Sequence, residues 1–359
     1  MKLGLGLYRS MLTDDNFRFA KQAGATHLVV HLTDYFNSAD SLSTGSGDEP
    51  WGITQNQDKL WTAEELVDLR KSINAAGLEL AALENFDPSH WYDVLLDGPR
   101  KKEQLEGIKQ MIRNMGAARI PCMGYDFSIA AVWGRVNGNW ARGEADTVGF
   151  LGDQGPTETA IPNGQVWNMV YDPDAPAGTV GEVTQEQLWS RLAEFLQEVV
   201  PVAEEAGVML AAHPDDPPLP TLRNTARLVY QPRIYQDLLD LVPSPSNGLE
   251  FCLGSLSEMT ECNERDGDIY RWTDHYSKQK KIGYIHFRNV RGKVPNYYEV
   301  FVDEGDIDMV EILRILYQNE YDGVLIPDHT PQMSCDAPWH AGMAYAMGYM
   351  RAAMKIIAG

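Results

Sequence analysis

Four potential metal ligands, His213, Cys252, His286 and Asp328, each close a short, largely apolar run: residues 208–212, 249–251, 282–285 and 324–327. Successive members are 39, 34 and 42 residues apart, about one strand, one helix and their loops. Such spacing gathers four side chains only if four consecutive strands of a closed parallel barrel each offer a terminal residue at the same end. Two imidazoles, a thiolate and a carboxylate are softer than the all-oxygen shells of Mg²⁺ and Ca²⁺, so the ion expected is Mn²⁺, Fe²⁺, Co²⁺ or Zn²⁺. On the residues alone, zinc is as good as manganese.

Polar residues also follow the other strand-like runs: Tyr8 and Arg9, then His31, then Glu84 and Asn85, then Tyr125 and Asp126. A hydrophobic core has no use for such a ring, whereas a polyhydroxylated substrate needs donors and acceptors from several directions. His286 and Arg288 are two apart and share a side of their strand. Arg288 is therefore expected beside the metal, paired either with a substrate carboxylate or with a strand-end acid such as Asp215. If Asp328 points inward, strand alternation sends His329 outward. His329 reaches substrate only if the chain has already turned at Thr330-Pro331.

The elements that must hold these residues announce themselves by a repeated helix, glycine, strand pattern. Ala23-Gly24, Ala76-Gly77, Met115-Gly116, Ala206-Gly207 and Asp322-Gly323 each precede a short strand-like run. A glycine there fits the left-handed residue that ends a helix. Thr62 with Glu65 is a capping box, Thr184 with Gln187 opens a similar helix, and Asp14 and Asp15 favour the first turn of a third. Strands are predicted at 3–7, 26–32, 78–83, 118–123, 208–213, 249–252, 282–287 and 324–328, with a last helix over about 338–357. Eight alternating units imply one α/β domain, a (β/α)₈ TIM barrel over 1–359. Two stretches, about 37–60 after strand 2 and 128–183 after strand 4, are too long for ordinary connections and are expected as insertions at the catalytic face.

Composition narrows the partners. A formal charge of −21, from 30 basic and 51 acidic residues, argues against binding a phosphate backbone, so no nucleic-acid partner is expected. With 44% hydrophobic and 23% charged residues the chain can bury a full core. No run of about 18 apolar residues and no signal-like leader is present, so no membrane partner and a cytoplasmic location are expected. Cys122, Cys252, Cys262 and Cys335 are widely spaced, as free thiols of a reducing compartment would be. Dinucleotide, phosphate-loop and serine-hydrolase motifs are missing.

The segments His213-Pro214-Asp215-Asp216-Pro217-Pro218, Phe251-Cys252-Leu253-Gly254-Ser255, Ile285-His286-Phe287-Arg288-Asn289-Val290 and Asp328-His329 together resemble the mannonate dehydratase family. Leu7-Tyr8-Arg9 and the segment from Asp303 to Met309 are similar too. The resemblance implies a xylose-isomerase-like TIM barrel and a manganese ion on His213, Cys252, His286 and Asp328. It also implies removal of water from D-mannonate, or a related aldonate, to give 2-keto-3-deoxy-D-gluconate, a step of hexuronate degradation. His329 and Arg288 would be catalytic. The family's tail carries a Gly-Tyr segment where this chain has Trp339-His340-Ala341-Gly342-Met343-Ala344-Tyr345, so either Tyr345 or His340 stands in or the role is lost. Tyr8, Arg9, His31, Glu84, Asp126, Asp215 and Asn289 are the expected substrate-binding residues, in a homo-oligomer. A metal-dependent sugar isomerase or epimerase, or a non-catalytic sugar-acid-binding barrel, would use the same ligands.

Overall fold

The computed structural model describes residues 1–35, 50–54, 59–152, 154, 157–260 and 268–359; most of the 37–60 stretch and Cys262 lie outside them. Eight parallel strands close into a barrel: β1 (Lys2–Leu7), β2 (His27–His31), β3 (Glu79–Glu84), β4 (Cys122–Tyr125), β5 (Met209–Ala212), β6 (Asn247–Cys252), β7 (Ile282–His286) and β8 (Val324–Ile326). Each strand pairs with its neighbours in sequence, and β8 closes on β1 through Lys2 opposite Val324. The predicted TIM barrel is the fold found. The register sets Cys252 beside His286 and His286 beside Ile326, which brings the ligand-bearing ends to one level.

Local signals fix the helices. The Thr13 hydroxyl accepts from the Asn16 amide to start α1 (Asp14–Ala23), and Thr62 with Glu65 completes a capping box on α2 (Ala63–Ala75). Thr184 and Gln187 do the same for the long helix Gln185–Ala206, which ends at Gly207 with φ 67°. Gly116 departs from the expectation. It lies inside the helix Lys101–Ala117, and Arg119, with φ 57°, takes the left-handed turn instead. Packing explains it: a Cβ on Gly116 would sit 2.5 Å from the Ala206 carbonyl oxygen, so the glycine is kept for helix contact. The fourth strand accordingly starts at Cys122, later than predicted.

Two additions rise from the strand ends. Between β4 and the helix Gln185–Ala206, strands Arg135–Ala141 and Ala145–Leu151 form an antiparallel hairpin. A second hairpin, Asn289–Lys293 with Asn296–Val300, follows β7 and pairs with the first to make a four-stranded sheet. The second hairpin was not anticipated, although Tyr297 and Tyr298 around a Gly, Pro and Asn turn carry a hairpin signal. Among the described residues no helix is long and apolar enough to cross a membrane.

Candidate active site

At the C-terminal ends of the strands a cavity is lined by His213, His286, Asp328 and His329, by Tyr8, His31, Glu84, Asn85 and Asp126, and by Arg288. Trp51, Val132, Arg135 and Trp167 close it from the segments outside the barrel, joined by Tyr35, Asp216 and Glu250. One ligand atom each from His213, Cys252 and His286 lie within 4.8 Å of one another. Asp328 adds a carboxylate oxygen 3.6 Å from His286 Nδ1, a buried nitrogen with no hydrogen-bond partner among the described residues.

The donor set has the charge state a cation needs. Burial alone would raise the Cys252 thiol, but Arg288, His213 and His286 hold it well below its ordinary value, as a thiolate. Its sulfur accepts from the Ser255 amide at 3.4 Å and the Ser255 hydroxyl at 3.2 Å. Burial opposes ionisation of Asp328 as well, and His329, His286 and Arg288 reverse it, keeping the group a carboxylate. Burial would lower His213, yet Glu250 and Cys252 bring it up to about 10; a cation would displace that proton. Two imidazoles, a thiolate and a carboxylate around one buried, unpartnered nitrogen fit a first-row divalent ion.

The strand ends also resolve His329. β8 stops at Ile326, so the chain has left the strand before Asp328, and alternation no longer separates Asp328 from His329. Both line the cavity, with Asp328 Oδ1 3.4 Å from His329 Nε2. His329 Nδ1 meets both oxygens of Glu299, at 2.9 and 3.0 Å, so the second hairpin aims the ring.

Arg288 sits beside Cys252 and Asp328, and its donors are spent inside the protein. Nε donates to Asp328 at 3.0 Å, Nη1 to Glu258 at 2.8 Å and Glu299 at 2.9 Å, and Nη2 to Asp216 at 3.0 Å and Ser255 at 3.1 Å. No edge is left for a substrate carboxylate, and the strand-end acid it pairs with is Asp216, not Asp215. Arg135, buried and absent from the sequence expectations, pairs through Nη2 with Asp216 and lies 3.5 Å from Glu299 through Nη1. Its Nε, a buried atom, lacks a partner among the described residues, and the residue lines the cavity.

Five expected site residues lie elsewhere. Arg9 is exposed and donates to the Leu32 carbonyl at 3.2 Å. Asp215 accepts from the Leu228 and Val229 amides, both at 2.7 Å, and pairs with Arg227, so it ties down a loop. Asn289 donates to the Val302 and Ile307 carbonyls and pins the return of the second hairpin. Tyr345 accepts from Arg142 at 3.2 Å, outside the cavity, and His340 is held at 3.0 Å from Asn16 on α1. Neither tail residue reaches the cavity, because the last helix, Pro338–Ala358, packs against the barrel exterior.

Of the residues that sequence reasoning missed, Glu250 had a signal: it is two before Cys252 on β6 and so shares its side. Trp51, Arg135 and Trp167 fall in the two long stretches expected at the catalytic face, though nothing singled them out there; Asp216 and Glu299 had no signal, since their places depend on the path of chain outside the barrel. The aromatic wall is continuous: Tyr8 lies 4.8 Å from His31, Tyr35 5.6 Å from Trp167 and Trp51 5.5 Å from Trp167, centroid to centroid. Asp126 is pushed up to about 7 by burial and then by Asp215.

Comparison with known proteins follows the same lines. The model of the D-mannonate dehydratase family matches residues 21–158 and 176–357. A mannonate dehydratase of Streptococcus equi subsp. zooepidemicus is 30% identical over 280 residues, covering 75% of this chain and 74% of that protein. A second, mannonate dehydratase 2 of Halalkalibacterium halodurans, is 27% identical over 280 residues, 75% of this chain and 79% of its own. The crystal structure of mannonate dehydratase from Streptococcus suis serotype 2 superposes with a TM-score of 0.77 at 24% identity, over 99% of this chain and 93% of that one. A xylose isomerase domain protein from Planctomyces limnophilus shares the fold at a TM-score of 0.57 and 12% identity, over 99% and 98%.

Proposed function

The chain belongs to the D-mannonate dehydratase family, a family of carbon–oxygen lyases, and from that premise we propose that it is a metal-dependent dehydratase of D-mannonate or a closely related aldonate. The observation that carries the reading is the convergence of His213, Cys252 and His286 within 4.8 Å, with Asp328 alongside, beneath a cavity that also holds His329. Manganese is the ion proposed, in a cytoplasmic homo-oligomer built on one barrel domain.

A divalent ion held by His213, Cys252, His286 and Asp328 supplies, when bound, the positive charge that stabilises negative charge developing beside the substrate carboxylate. His329 takes the proton from C2, its ring held by Glu299 on the far nitrogen. The C2–H electron pair becomes the enediolate. As those electrons form the C2–C3 double bond, the C3–O bond breaks, and the leaving hydroxyl takes a proton from His329 to depart as water. The enol then tautomerises to the 2-keto-3-deoxy acid. Arg135, which lines the cavity, takes the substrate carboxylate, the role that Arg288 has no donor left to fill. Tyr8, raised by burial and then by Asp328, stays protonated and donates to substrate hydroxyls.

The test is incubation of the Mn²⁺-loaded protein with a panel of aldonic acids and mass spectrometry of the products. The reading requires a product lighter by one water, lost in His329→Gln with metal retained. A product of unchanged mass would replace it with a sugar isomerase, and binding without turnover would leave a sugar-acid-binding barrel.

A further inference from the structure

Beneath the ligand quartet, inside the barrel, lie two more carboxylates. Glu84 ends β3, Glu250 sits near the end of β6, and both are buried. A hydrophobic barrel gains nothing from them, because burying a carboxylate is costly unless it is paired. Their common partner is His286. Its Nε2 is 3.3 Å from Glu84 Oε2 and 3.2 Å from Glu250 Oε1. The other ring nitrogen, Nδ1, has no hydrogen-bond partner among the described residues and faces Asp328 Oδ2 at 3.6 Å. The imidazole therefore stands between two acceptors on one side and the ligand quartet on the other. Room for this comes from β4: a Cβ on Gly124 would lie 2.0 Å from the Tyr284 hydroxyl and 2.3 Å from Glu250 Oε2. His31, with Nε2 3.5 Å from Glu84 Oε1, holds Glu84 from the side away from His286.

We propose that Glu84 and Glu250 are positioning residues that jointly receive the Nε2–H of His286, fixing the tautomer and ring plane that turn the Nδ1 lone pair towards His213, Cys252 and Asp328. A histidine whose far nitrogen donates to a carboxylate is oriented and made more basic as a ligand. This inference rests on the metal reading given above and adds to it a pair of residues that act through His286.

The experiment is titration of the metal-free full-length protein with Co²⁺, followed by the thiolate charge-transfer band and the visible d–d bands, for the unsubstituted chain, Glu84→Gln and Glu250→Gln. Far-ultraviolet circular dichroism and melting of the metal-free forms check folding. Glutamine keeps the shape but sets an NH₂ in competition for the same nitrogen. The unsubstituted chain is expected to bind one equivalent with the charge-transfer band. Each variant is expected to bind one equivalent about 10-fold more weakly, and the double variant up to about 100-fold, with that band kept and the d–d envelope changed. Unchanged affinity and d–d bands in both single variants would overturn the inference while leaving the metal reading intact. Two equivalents in the unsubstituted chain, one of them lost in Glu250→Gln, would also overturn it, since the carboxylates would then be ligands. No Co²⁺ uptake by the unsubstituted chain would remove the metal reading and this inference together. If one variant fails to fold, the other decides.

Discussion

The inside of the barrel has two kinds of filling. One is aliphatic and small: Val29, Ala82, Ala211, Val324 and Ile326 are buried together, and Gly4 lies so close that a Cβ there would meet Val324 at 2.6 Å. The other, at the strand ends, is just as buried but ionic: Glu84, Glu250, Cys252, His286, Arg288 and their partners. The aliphatic filling holds the barrel closed by removing apolar surface from water, and its members are interchangeable with others of similar volume. The ionic filling survives only because each charge has a named partner; losing one partner strands another charge in a low-dielectric interior. The same closed sheet thus carries a part that stabilises and a part that is preorganised at a cost to stability.

Substitutions can break this contrast. Cys252→Ser should have the largest effect on the ionic side, lowering bound metal by more than about 10-fold in elemental analysis with the circular dichroism spectrum retained, since a neutral hydroxyl is a poor replacement for a thiolate. Unchanged metal content would take Cys252 out of the ligand set. Arg288→Lys cannot reproduce contacts to Asp328, Glu258, Glu299 and Asp216 together, and chemical denaturation should show a loss of about 3–5 kcal/mol. A near-normal midpoint would mean that the pairings are not strongly coupled to folding. Arg135→Ala removes the proposed charge-assisted contact to substrate, together with one partner of buried Asp216, and should reduce kcat/KM by about 10- to 100-fold, from about 1.5–3 kcal/mol of lost interaction. If KM and kcat for the aldonate stay as they were, the carboxylate binds elsewhere.

On the aliphatic side, Ile326→Val trims one methylene from a buried side chain and should cost about 0.5–1.5 kcal/mol, with metal affinity unaltered. A loss of metal there would show that the two fillings are mechanically linked. Smallest of all, Tyr345→Phe should leave kcat unchanged in a steady-state assay, because its hydroxyl meets Arg142 outside the cavity. A large fall in kcat would return the tail to the mechanism.

Much of the scaffold was legible because its signals are local. Capping boxes at Thr62 and Thr184 act within four residues, and they start helices where the sequence says they should. The gathering of His213, Cys252, His286 and Asp328 at one end of the barrel was legible for a related reason: an apolar run ending in such a residue marks a strand end, and eight such units leave few ways to close. Gly116 misled because a glycine serves helix packing as readily as a turn, and only the neighbouring helix shows which.

What the sequence determined by itself was periodicity and chemistry: eight strand–helix units, and four donors at matching places within them. What only the tertiary structure decided was which charges meet. Arg288 turned inward to four carboxylates, Arg135 came over the cavity from a hairpin outside the barrel, and Glu84 with Glu250 closed beneath His286. Pairings between groups tens to hundreds of residues apart carry no local trace, because a charge selects its partner by distance and burial, and both exist only once the barrel has closed.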